Sequence, residues 1–144
     1  MPLFNQDKIM KLVSEMRKAI NHLNSLKSLA KTAFLGDSDK ICSAKYNFII
    51  AIETTIDICN HIISQNGYRA PEDYADTFQI LGEHGAFNND YIRLLKDMAK
   101  FRNRLVHVYW EVDDEQLYEI LQTRLSDFKT FLNHIAVFLD LKGL

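Results

Sequence analysis

The chain has 144 residues, 47% hydrophobic and 25% charged, which is enough for one domain with a real core and excludes a disordered tail or a fibrous protein. Five Gly and two Pro are too few for the tight turns of a sandwich or barrel. Seventeen basic against nineteen acidic residues give a net charge of −2, which excludes a protein that coats nucleic acid by bulk charge but leaves room for a local basic site.

In chain order, the first pattern runs from about Gln6 to Lys31. Ile9, Leu12, Val13, Met16, Ile20, Leu23, Leu26 and Ala30 recur at three- and four-residue steps, the signature of one helical face, with Asn5 as its N-cap. Gly36-Asp37-Ser38 interrupts, and a second helix is predicted from about Asp39 to Gln65, stopped by Gly67. Tyr46 and Ile50 fall outside its stripe of Ile41, Ala44, Phe48, Ile52, Ile56, Cys59 and Ile63. This helix is therefore expected to bury more than one side and to sit centrally.

Pro71 biases Ala70 away from helix, so Tyr68–Pro71 reads as a loop. A short helix follows from about Glu72 to Glu83, then a fourth from about Tyr91 to Val106, with caps on offer from Asn88-Asn89-Asp90. Asp113, with Gln116 three residues on, opens a last helix whose apolar face is Leu117, Ile120, Leu121, Leu125, Phe128, Phe131, Leu132, Ile135 and Phe138. No strand-like alternation appears. The sequence predicts an all-α antiparallel bundle of four to five helices, one domain over residues 1–144.

The longest apolar runs, Phe48–Ile52 and Ile135–Leu139, have five residues each, far short of a membrane span. No signal peptide is evident, and Cys42 and Cys59 read as free thiols in a reducing compartment, so the chain is expected in the cytoplasm. The histidines at 22, 61, 84, 107 and 134 show no metal-ligand spacing, and Asp57 with His61 at i, i+4 reads as a surface pair. Phosphate-loop and nucleophile-elbow motifs are missing, so neither cofactor nor metal is expected.

The informative stretch is Lys100–Trp110. A helical projection puts Tyr91, Leu94, Leu95, Met98, Ala99, Phe101, Leu105 and Val106 on one half, and Arg93, Lys96, Asp97, Lys100, Asn103 and Arg104 on the other. Arg102 breaks the rule by falling near the middle of the apolar arc. A guanidinium there is either paired with a core carboxylate such as Glu53 or faces a polar pocket. His107 lies about 140° further round a continuing helix, so the two side chains converge only if the helix ends near Val106 and His107 leaves it. His107 otherwise reads as a helix-terminal histidine favouring the dipole. The bare R-x4-H spacing is not specific, since Arg17 and His22 repeat it in the first helix.

The longer string Arg102-Asn103-Arg104-Leu105-Val106-His107-Val108-Tyr109 resembles the R-x4-H-x-Y signature of the HepT branch of HEPN proteins. The flanking residues agree. They are Lys45-Tyr46-Asn47-Phe48 leading to Ala51-Ile52-Glu53, Asn60-His61-Ile62-Ile63, Pro71 before Tyr74, Thr77-Phe78 with Leu81, Tyr118-Glu119-Ile120-Leu121, and Leu125-Ser126-Asp127-Phe128. The resemblance covers nearly the whole chain. It implies a HEPN-type bundle, homodimeric, acting as a metal-independent endoribonuclease toxin on RNA. Its implied partner is a small nucleotidyltransferase antitoxin of the MntA type that transfers AMP to Tyr109.

Arg102 and His107 are then the expected catalytic pair, with Tyr109 as substrate contact and AMP acceptor, and Asn103, Arg104 and Glu53 in support. Arg102 suits the charge of a phosphorane, and His107 is the candidate acid or base. A second His107 across a two-fold axis supplies both roles at one phosphate. Tyr109 stacks on a base, bonds the phosphate or anchors its loop. Trp110 is a dimer anchor or a stacking platform. Lys96, Lys100 and Arg104 form a basic edge or a solvated face. The alternative function is a non-catalytic nucleotide- or partner-binding module that serves as an adaptor for a nucleotidyltransferase.

Overall fold

Asn5 caps the first helix by accepting the Lys8 amide, and α1 runs Gln6–Lys27 in the computed structural model, which describes residues 1–144. The helix stops earlier than its apolar period suggests. Ala30 continues that period but adopts extended backbone, and a separate short helix α2, Lys31–Leu35, follows. Its purpose is visible in Phe34, fully buried and set edge-to-face on Tyr118 with ring centroids 5.5 Å apart. The Tyr118 hydroxyl donates to the Leu29 carbonyl at 2.9 Å and ties the same corner.

α3, Ser38–Asn66, begins where Asp37 accepts the Asp39 and Lys40 amides and ends at Gly67, whose φ of 63° is the left-handed conformation that favours glycine. It packs against α1, α2 and every later helix, and it buries residues on more than one side, as its broad apolar pattern predicts. Thr54 and Thr55 lie within it without unpaired hydroxyls, because both donate to the Ala51 carbonyl. Asn66 exchanges two hydrogen bonds with Leu3, at 2.7 and 2.8 Å, so α1 starts beside the end of α3 and the two run antiparallel.

α4, Tyr74–Glu83, starts two residues later than predicted because Asp73 supplies the cap. α5, Asn89–His107, is capped by Asn88 and leads into a single 3-10 turn, Tyr109–Glu111. The predicted last helix is two helices, α6 at Asp114–Thr123 and α7 at Ser126–Leu139. The apolar period passes through the break unchanged: Leu117, Leu121, Leu125 and Phe128 are all buried, so periodicity could not reveal it. The Thr123 hydroxyl bonds back to the Glu119 carbonyl at 2.8 Å, a contact that bends helices, and Arg124 bridges the gap to Asp127 at 2.9 Å.

The architecture is thus all-α with seven helices, against the four or five predicted. The added helices are α2 and the second half of the divided last one. No helix is long and apolar enough to cross a membrane. Cys42 is exposed and Cys59 buried, both as free thiols; burial raises Cys59 well above the usual thiol range.

Candidate active site

The amphipathic face of α5 explains where Arg102 goes. Leu95, Ala99 and Leu105 sink into the core, and Arg102 follows them inward until its side chain is only 13% exposed. Its Nε donates to Oε1 of Glu53 on α3, which resolves the first sequence alternative in favour of the ion pair. Nη1 donates to Asn103 Oδ1 at 3.1 Å. The guanidinium carbon lies 4.9 Å from the ring centroid of Tyr74 on α4, within cation–π range. Nη2 has no protein partner, so the fork is anchored at one edge and keeps donors to spare.

His107 takes the helix-terminal reading. Helix α5 does not stop at Val106; His107 is its last residue, and Val108 breaks the backbone with φ −131° and ψ 40°. His107 is exposed, no hydrogen bond joins it to Arg102, and the two positions lie about 140° apart around the helix.

The turn after α5 is open to solvent. Tyr109 is 61% and Trp110 68% exposed, with their rings edge-to-face at 5.3 Å. Tyr109 does not anchor the loop in the core. That task falls to Val112, which is buried, and to Arg104, whose Nη2 donates to the Glu111 carbonyl and Gln116 Oε1, both at 3.4 Å. The predicted basic edge therefore separates. Lys96 reaches Gln79 on α4 at 2.9 Å, Arg104 fastens the turn, and only Lys100 stands exposed without a partner.

Asp57 and His61 do not pair. His61 Nε2 accepts the Asn5 amide at 2.9 Å, and burial, with Lys8 adding to it, lowers its pKa. Asp57 is raised by burial and by neighbouring Glu53, against the pull of Lys8. His84 stacks on Tyr68 at 3.5 Å and His134 on Tyr91 at 4.5 Å. No three His, Cys, Asp or Glu side chains come close enough to hold a metal ion together. Tyr74 is the contact that sequence reasoning missed, since an aromatic on a short helix reads as core.

Known proteins resemble this chain in sequence and in fold. The family described as Ribonuclease HepT-like matches residues 16–135. An mRNA nuclease HepT of Shewanella oneidensis is 32% identical over 83 residues, 58% of this chain and 62% of that protein, so the matched region spans about three-fifths of that relative. A tRNA nuclease HepT of Aphanizomenon flos-aquae is 20% identical over 122 residues, 83% of this chain and 82% of that protein. Among solved structures, a toxin–antitoxin complex with AMP-PNP superposes with a TM-score of 0.84 at 25% identity, covering 91% of this chain and 98% of that one. A tri-AMPylated Shewanella oneidensis HEPN toxin in complex with its MNT antitoxin gives 0.83 at 26% identity over the same shares. With most of its length inside the matched region, the chain belongs to the HepT-like family.

Proposed function

We propose that this protein is an endoribonuclease toxin that works as a homodimer without metal and is silenced when a nucleotidyltransferase antitoxin places AMP on Tyr109. The observation that carries the reading is the state of Arg102. A guanidinium drawn into an apolar helix face, held by Glu53 and still presenting Nη2, is built to meet an anion.

In this reading the ribose 2′-oxygen attacks phosphorus and the bond from phosphorus to the 5′-oxygen breaks, leaving a 2′,3′-cyclic phosphate and a 5′-hydroxyl. One His107 takes the 2′-proton, the other gives a proton to the departing oxygen, and Arg102 holds the non-bridging oxygens as their charge grows. The need for a base and an acid at one phosphate supports the dimer, because a two-fold axis would supply a second His107. Similarity to the mRNA and tRNA nucleases supports RNA as substrate.

Tyr109 projects its ring into solvent at the end of the same helix, where an antitoxin can reach it. An added AMP brings bulk and negative charge to the place where RNA phosphate must sit. Similarity to the AMPylated toxin supports this route of control. The test is expression of wild type and Arg102→Ala in cells without the antitoxin. The ribonuclease reading predicts growth arrest by wild type and rescue by the variant, with cyclic-phosphate ends on cleaved RNA. Equal toxicity of both proteins supports the adaptor alternative.

A further inference from the structure

We propose that Tyr74 is a positioning residue for Arg102, its ring holding one face of the guanidinium so that Nη2 points to the substrate phosphate; the proposal rests on the ribonuclease reading. Arg102 is restrained from three directions. Glu53 takes the Nε edge, Asn103 takes Nη1, and the Tyr74 ring covers a face with the guanidinium carbon 4.9 Å from its centroid. A single ion pair leaves an arginine free to swing about the bond it makes. Adding a flat surface removes that freedom and spares the reaction the entropy of ordering the fork.

The position of that ring is itself fixed by a chain of contacts. Asp73 caps α4 by accepting the Asp76 amide at 2.7 Å. Asp76 accepts both terminal nitrogens of Arg69, at 2.7 and 2.8 Å, and the Glu72 amide at 3.0 Å, while Arg69 also grips Glu83. One helical turn beyond Tyr74, the hydroxyl of fully buried Thr77 lies 3.3 Å from both Asn60 Oδ1 on α3 and the Asp73 carbonyl. Asn60 lies seven residues, two turns, after Glu53, so one face of α3 both carries the carboxylate and docks the helix that carries the ring. The Tyr74 hydroxyl makes no hydrogen bond within the protein. The ring, and not the hydroxyl, is the working part.

The test compares wild type, Tyr74→Phe and Tyr74→Leu by two readouts. The first is the Arg102 Nε–H resonance in a nitrogen–proton spectrum, assigned by its loss in Arg102→Lys and displaced by the ring current of a stacked aromatic. The second is kcat and KM on an oligoribonucleotide, with thermal melting as a folding control. Tyr74→Phe should keep the resonance and cleave within two-fold of wild type. Tyr74→Leu should move the resonance and lower kcat by about three- to thirty-fold, the range a cation–π contact spans, with KM little changed. A phenylalanine variant as slow as the leucine one assigns the work to the hydroxyl and overturns the proposal. So does a leucine variant that cleaves normally, or one whose loss follows melting while the Arg102 resonance stays in place. If wild type cleaves no RNA the ribonuclease reading fails separately, and an unmoved resonance in Tyr74→Leu still refutes the restraint.

Discussion

Arg102 donates through Nε to Glu53, joining the last turns of α5 to the middle of α3 by one partly buried ion pair. The pair gives the guanidinium an address in the fold and leaves its far nitrogen for a ligand. Removing the carboxylate strands the charge, which costs more than the pair itself contributes. Glu53→Ala should therefore lower unfolding free energy by about 1–3 kcal/mol in urea denaturation, below the figure for a fully buried pair because both partners keep some solvent. It should also slow RNA cleavage at least about ten-fold. Unchanged cleavage in Glu53→Ala would show that Arg102 needs no such holding.

Arg102→Lys is the sharper chemical test of the fork. A lysine has one ammonium where arginine has separate edges, so it cannot bond Glu53 and a phosphate with fixed geometry at once. The expected outcome is a folded protein, by circular dichroism, whose kcat falls about as far as that of Arg102→Ala. Recovery of near-normal kcat by lysine would reduce the role of Arg102 to bulk charge.

Arg104 is expected to act on the turn and not on the substrate. Its bonds to the Glu111 carbonyl and Gln116 fasten the segment that presents Tyr109 and Trp110. Arg104→Ala should speed amide hydrogen exchange at residues 109–112 while the α3 core stays protected. Exchange unchanged at the turn, together with weaker RNA binding, would return Arg104 to the basic edge read from the sequence.

His61 gives a pH dependence with a definite sign. Its Nε2 accepts the Asn5 amide, and protonation destroys that acceptor; Lys8 on α1 is the charged neighbour that adds to the lowering. Because its folded pKa lies below the ordinary value, its contribution to stability is present above about pH 6.5 and is lost as pH falls through the lowered value. Wild type should lose more stability than His61→Gln between pH 7.5 and 5.5, since a glutamine oxygen still accepts the amide at either pH. Identical losses in urea melts would remove His61 from the account.

Much of this was legible in the chain because period and caps carry it. Asn5, Asp37, Gly67 and Asn88 mark helix ends by chemistry that depends on local residues alone, and Arg102 stood out as a charge on an apolar arc. The breaks at Ala30 and Arg124 were hidden because the buried residues on either side stay in phase. The end of α5 was legible to within one residue, and His107 takes the helix-terminal position that was one of its two readings. Tyr74 was out of reach for another reason: its partner lies 28 positions away on a different helix, and only packing brings the two together.

The central claim is that Arg102 and His107 cut RNA without a metal. It is tested most directly with purified protein, total cellular RNA and excess chelator, comparing wild type with His107→Ala after intact mass has shown Tyr109 free of AMP. The account predicts cleavage by wild type alone, with 2′,3′-cyclic phosphate ends. Intact RNA with unmodified wild type, or equal cleavage by both proteins, would contradict it.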